Sequence, residues 1–298
     1  MHRQLDIFDD SRDVALRNDL SQALLDGDPA AAQRIANTLQ AEFGADTVLA
    51  PATALIEHLQ WRQSLAPPGG LDVATVLDAR HRLDDSIAAA AAAVLGVEAA
   101  PAWLADEWCW LAGQAAGIGW HPSHANAHAA ALYLRGQAWP QAAEAVARID
   151  SWRRIPLPLL WMTQARWRGE SADVAWPLLA EALWLAPARA AALVLALALA
   201  DTRLDRLAAR FEERFDPDAA PDADWAWLPA FALVDQPLLA GPLSTTTPPT
   251  ETAPGEAFTV VVALLRLERQ GRHHEIVAQR ARLQALSAPL FCAYMATR

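Results

Sequence analysis

Residues 122–187 read PSHANAHAAALYLRGQAWPQAAEAVARIDSWRRIPLPLLWMTQARWRGESADVAWPLLAEALWLAP, and the fold class turns on them. Apolar residues recur there at three- and four-residue intervals, the spacing of one helix face. Gly136 and Gly169 lie 33 residues apart, and each falls between an amphipathic segment and a second one. The pattern predicts helices over about 122–135, 140–149, 157–168 and 173–185, with turns at the two glycines and a stop at Pro187.

Upstream, Asp13 is placed to cap a helix running to about Leu25. Asp28 and Pro29 fit the N-cap and first helical positions of the next, over 30–43. A third, over 51–65, is stopped by Pro67-Pro68-Gly69-Gly70. Asp72 opens a long helical segment to about Leu95, and a further helix carries Trp103, Trp108 and Trp110 as far as Gly117. Downstream, residues 190–200 are apolar on every side and read as a fully buried helix, and 203–215 are amphipathic. Residues 216–224 read as a solvated acidic loop. Asp216, Asp218, Asp222 and Asp224 imitate a calcium loop, but Pro221 and Trp227 stand where its glycine and closing glutamate belong. Residues 241–255 (GPLSTTTPPTETAPG) have no apolar period and read as a mobile linker or long loop. A helical pair over 257–270 and 274–286 follows, with Pro289 beyond. No segment alternates as a strand does. The expected fold is therefore all-α. The expected domains are 1–240 as a helical-repeat domain, 241–256 as a Thr/Pro-rich loop or linker, and 257–298 as a C-terminal hairpin capping the same stack.

The second unit of the 122–187 stretch reads Ala175-x3-Leu179-x2-Ala182-x4-Pro187. The first matches it in register through Ala142, Val146 and Ile149, with Tyr133 on the preceding helix. Looser copies follow Gly27 (Ala32, Ala36, Leu39) and Gly271 (Val277, Ala281, Pro289). The pattern resembles the tetratricopeptide repeat (TPR), in which small and bulky residues alternate along packed helices before a terminal proline. It covers about half of the chain. The Trp and Gly-Tyr positions usual in the first helix of that family are mostly unmatched, so the likeness is one of architecture. It implies an α-solenoid of stacked antiparallel hairpins, a TPR-like superhelix whose concave face binds peptides or partner proteins. Elementary physics favours the same arrangement. Each amphipathic hairpin leaves one apolar face uncovered, and stacking buries it.

Composition removes several chemistries. The 298 residues are 53% hydrophobic and about 23% alanine, and none is lysine. Schiff-base chemistry on a lysine is impossible, as is a phosphate-binding loop ending in Gly-Lys. The net charge of −11 argues against a nucleic-acid partner. The metalloprotease, hydrolase-elbow and dinucleotide fingerprints H-E-x-x-H, G-x-S-x-G and G-x-G-x-x-G are all missing. Cys109 and Cys292 have apolar neighbours and read as small buried hydrophobes. The opening residues, with Asp6, Asp9, Asp10 and Asp13, lack the basic start and apolar run of a secretory signal. The 190–200 run is shorter than the ~20 residues that span a bilayer. A cytoplasmic location without membrane insertion is expected.

Two constellations stand out. His121, His124 and His128 fall within ~60° of arc if 122–135 is one helix. That face suits a divalent transition metal such as zinc, copper or nickel, or the three are ordinary helix-face residues. Thirteen tryptophans are present, and two clusters set them beside arginine: Trp152-Arg153-Arg154 and Arg166-Trp167-Arg168. Such residues dominate recognition surfaces and hold a partner's carboxylate in bidentate fashion, although large aromatics more often fill a core. His273-His274-Glu275 suits a helix start. Asp84-Asp85 and Asp106-Glu107 are carboxylate pairs whose members point ~100° apart on a helix. Three readings follow. The first is a non-enzymatic scaffold or adaptor that binds a protein or peptide and needs no cofactor. The second is a metal-binding protein or metal-dependent enzyme on the histidine face. The third is a structural subunit that self-assembles through apolar faces.

Overall fold

The computed structural model describes residues 7–65, 70–215 and 225–298. Every regular element among them is helical, and consecutive helices pack as neighbouring pairs. The chain divides into two compact units, Met1–Ala138 and Trp139–Arg298. The acidic loop at 216–224 and residues 1–6 lie outside the described residues.

The first unit holds α1 (Ile7–Leu25), α2 (Pro29–Glu42), α3 (Leu49–Ser64), α4 (Val73–Arg82), α5 (Ala88–Gln114) and α6 (Ala129–Arg135). Helix α1 begins six residues before Asp13, so Asp13 is not its cap but sits inside it, accepting from Arg17 at 3.1 Å. Asp28 caps α2 as expected, accepting from the Ala31 N–H at 2.9 Å, with Pro29 behind it. Asp72 caps α4 through the Thr75 N–H and hydroxyl. A π-helical turn, Leu83–Ile87, joins α4 to α5. Inside α5, Gly96 breaks the helical backbone at φ +76°, a conformation open to glycine and strained for other residues.

The run Val73–Gln114 is long and apolar enough, by length and composition, to cross a membrane. One sequence expectation changes here. The expected helix over 122–135 is in two pieces. A 3-10 segment, Pro122–Ala127, precedes α6, and His128 between them is extended at ψ 138°. The break falls at His124, whose backbone is non-helical, and at His128, which caps α6 from an extended conformation.

The second unit holds α7 (Trp139–Ala147), α8 (Pro156–Gly169), α9 (Ala172–Leu185), α10 (Pro187–Ala198), α11 (Thr202–Glu212), α12 (Leu228–Asp235), α13 (Ala253–Gln270), α14 (His273–Leu286) and α15 (Ala288–Ala296). Its core centres on Phe211, which lies 4.6 Å from Phe215, 5.2 Å from Trp225 and 5.6 Å from Phe231 between ring centroids. Helix α10 buries Ala190, Val194 and Leu197 but exposes Leu195 and Leu199. It is thus covered on one face, not all round. Pro289 opens α15 at its first turn, where proline costs nothing, instead of ending the helical structure. A 3-10 turn, Pro237–Ala240, leads up to the Thr/Pro-rich segment, which opens after Gly241 with a second one, Pro242–Thr245. The segment buries Leu243 and Thr246 before Thr252 caps α13.

Gly136 and Gly169 do the same work in their two units. A Cβ on Gly136, after α6, would lie 2.6 Å from the Cys109 sulfur and 2.8 Å from the Ala105 oxygen of α5. A Cβ on Gly169, ending α8, would lie 2.7 Å from the Trp139 Cβ of α7. Each glycine lets one helix end close onto the helix before it.

Candidate functional site

None of the thirteen tryptophans is exposed. Trp167 is buried in the second unit and meets Trp176 edge-on at 5.5 Å. Trp152 is half-buried against the same core. The arginines beside them are largely engaged within the chain. Arg153 forks onto Glu181 of α9 with two 2.5 Å contacts, and that hydrogen-bonded pairing holds its guanidinium pKa above the ordinary value. Arg166 pairs with Glu170 one turn along. Arg168 donates to the Ala196 carbonyl of α10 at 3.1 Å. Arg154 is exposed and makes no ion pair among the described residues. The bidentate seat expected for a partner at Arg153 is filled by Glu181, and Arg153 and Arg168 reach to different helices.

The histidines do not share a helix face. His121 is extended, His124 has non-helical angles (φ −132°, ψ 36°), and His128 is extended again. His121 and His124 stack at 5.0 Å, and Ser123 lies between their Nδ1 atoms at 2.7 and 3.2 Å. His128 is buried, and its Nδ1 accepts the Ala130 N–H as the cap of α6. No three His, Cys, Asp or Glu side chains among the described residues are grouped to hold a metal ion.

The sequence reading passed over His58 and named Glu107 only as half of a carboxylate pair. In the first unit they meet in the core. Glu107, 1% exposed, receives His58 Nε2 at 3.0 Å on one oxygen and Arg62 Nη1 at 2.5 Å on the other. A carboxylate only accepts, so Nε2 carries the proton. His58 Nδ1 is then buried without a partner among the described residues. Trp61, Trp103 and Trp110 surround the group, and Arg62 lies 5.2 Å from the Trp110 ring centroid. The available signal was His58 and Arg62 one turn apart on α3, with an acid among three tryptophans on α5. Both Glu107 oxygens are occupied, by His58 and Arg62 of α3, so the arrangement ties α3 to α5.

Cysteine chemistry is equally unsupported at Cys109. Burial, and secondarily Asp106, push its thiol pKa up, and its Sγ–H points to the Gly136 carbonyl at 3.6 Å. Cys292 is exposed. Since the thiolate is the reactive form, iodoacetamide at neutral pH is expected to modify Cys292 at least about tenfold faster than Cys109, as peptide mass spectrometry would show. Equal rates would mean that Cys109 is open and activated.

The feature best built to receive a ligand is a furrow along α11. Asp201 caps this helix, accepting from the Arg203 and Leu204 N–H groups. Leu204, Leu207, Ala208 and Phe211 face the core. Arg203, Arg206, Arg210 and Arg214 then fall within ~80° of arc beside that face. Opposite runs the end of α12 and the turn after it. The cavity between encloses about 560 Å³ and is bounded by Arg203, Arg206, Arg210, Asp235, Gln236, Pro237, Leu238, Pro242 and Asp173. Leu238 is 87% exposed at the rim. At one end the furrow meets a smaller cavity walled by Trp167 and Trp176; at the other it meets one beside Phe231, Ala293 and Thr297. Arg210 pairs with Asp235 at 2.5 Å. Arg203 and Arg206 have no carboxylate partner among the described residues. Trp167 is the one member of the two Trp/Arg clusters found along this furrow. The sequence did carry the signal, arginines at i, i+3, i+7 and i+11, but only the fold shows a wall facing them.

No protein-family model matches the chain, and comparison with curated proteins and solved structures gives no match.

Proposed function

We propose that this chain is a non-enzymatic, TPR-like helical-repeat module that binds a segment of a partner protein, and that the segment lies in the furrow along α11. The observation that carries this reading is the furrow itself. It combines an exposed leucine between prolines with two arginines that have no carboxylate partner among the described residues, and it continues into further cavities at both ends. Small apolar anchors with a few placed polar groups are the usual make-up of a binding groove. The repeat reading is supported by consecutive helix pairs and by the matching close approaches at Gly136 and Gly169. A stacked helical architecture offers such grooves without catalytic machinery.

Panning a random peptide library on the intact chain is expected to yield specific binders. Their affinity should fall at least about tenfold, or ~1.4 kcal/mol, in Leu238→Glu. It should be unchanged in Leu199→Glu, which alters an equally exposed leucine just past the end of α10, outside the furrow. No binders, or equal losses in both variants, would end this reading.

A further inference from the structure

The furrow also has a chemical preference. The chain as a whole carries a net charge of −11, yet one wall of this cavity is a row of arginines. Arg203 and Arg206 are three residues apart on α11, so their stems rise ~4.5 Å along the helix axis. Arg210 stands four residues further on and is occupied, because Asp235 seats its carboxylate there at 2.5 Å. That internal pair shows how an aspartate meets this row from the opposite wall. The two remaining positions present the same guanidinium groups without an acid among the described residues. Beside them, Leu238 and Pro237 offer apolar surface at the rim.

We infer that the furrow recognises an acidic segment of a partner protein, with two carboxylates seated on Arg203 and Arg206 and an apolar side chain against Leu238. The inference rests on the peptide-binding reading above and names its partner class. The spacing of the two arginines suits carboxylates one helical turn apart, or two residues apart on an extended chain at ~3.3 Å per residue. Asp173 and Asp235 in the walls oppose a uniform polyanion, because an unbroken row of phosphates would meet them as well as the arginines. Specificity then comes from placing acids where the arginines are and an apolar group where they are not.

Three labelled peptides of one length, each with the same central leucine, would test this by fluorescence anisotropy. One carries paired Glu residues, one Gln in their place, and one Lys. The Glu peptide is expected to bind at least about tenfold more tightly than the Gln peptide, with affinity falling as salt rises. Arg203→Gln with Arg206→Gln should remove that preference, and Arg203→Glu with Arg206→Glu should transfer it to the Lys peptide. Both residues are exposed, so unchanged circular dichroism and melting will certify that the variants fold. Heparin serves as the polyanion control and should compete poorly. Equal binding of the Glu and Gln peptides, an undiminished Glu preference in the double variants, or tight heparin competition overturns the inference. Library binders that lack acidic residues and ignore the arginine variants would also overturn it while leaving peptide binding intact. If panning yields no binders at all, the underlying reading fails instead.

Discussion

Glu107→Ala is expected to destabilise the protein by about 3–5 kcal/mol, because removing one member of a buried ionic group strands the others. Glu107 is 1% exposed and His58 is 4% exposed, so His58 Nε2 cannot trade its lost acceptor for water at once. Arg62 keeps about a third of its side chain in solvent, and its partial hydration places the expected loss toward the lower end of that range. Small domains have only ~5–15 kcal/mol in all, so the first unit should melt at markedly lower urea. Glu107→Gln should recover part of the loss. The amide has one acceptor oxygen in place of two, so it satisfies Arg62 or His58 but not both. If it turns its amide hydrogens to His58, the imidazole must move its proton to Nδ1, which already lacks a partner. Urea unfolding of the two variants and wild type checks this. An Ala variant within about 0.5 kcal/mol of wild type would mean that the group adds nothing to stability.

How much of this was legible in the sequence depends on the range over which each signal acts. Local signals read well: Asp28-Pro29 and Asp72 cap helices in the structure, and every tryptophan is buried or half-buried. Signals that depend on a neighbour did not. Residues 122–135 have helical composition, but the non-helical backbone at His124 and the His128 cap divide them, and with the helix goes the shared face of His121, His124 and His128. Residues 190–200 are apolar throughout, yet the fold covers only one side of α10, so composition overstated burial. The Trp/Arg clusters were found by their chemistry, but Glu181 and Glu170, which engage Arg153 and Arg166, are ordinary surface acids in the sequence. The α11 furrow needs a second wall 25 residues or more downstream, at Asp235 to Pro242. Nothing in the periodicity of α11 announces that wall.

Gly255→Ala separates local propensity from tertiary fit, because the two predict opposite signs. Gly255 is in the first turn of α13, where its N–H donates to the Thr252 hydroxyl at 3.3 Å. Helix propensity alone favours alanine over glycine by up to about 1 kcal/mol. A Cβ at Gly255, however, would lie 2.0 Å from the Pro249 carbonyl oxygen and 2.9 Å from its carbonyl carbon. The obstacle is backbone, so no side-chain rotation relieves it. Either α13 shifts or the Thr/Pro-rich segment lifts away. The second course strains the seating of Leu243 and Thr246, which are 2% and 9% exposed. Overpacking of this kind costs about 1–3 kcal/mol, and with backbone displaced we expect about 2 kcal/mol net loss. In a unit of this size that lowers Tm by roughly 4–8 °C. Gly113→Ala in α5 is the control: its Cβ meets nothing within 4 Å, so that variant should gain up to about 1 kcal/mol. Scanning calorimetry of both variants decides the matter. A lower Tm for Gly255→Ala beside a raised one for Gly113→Ala shows that residues 242–250 are held against α13 as part of the folded unit. A raised Tm in both shows that the segment yields freely and leaves α13 to its own propensity.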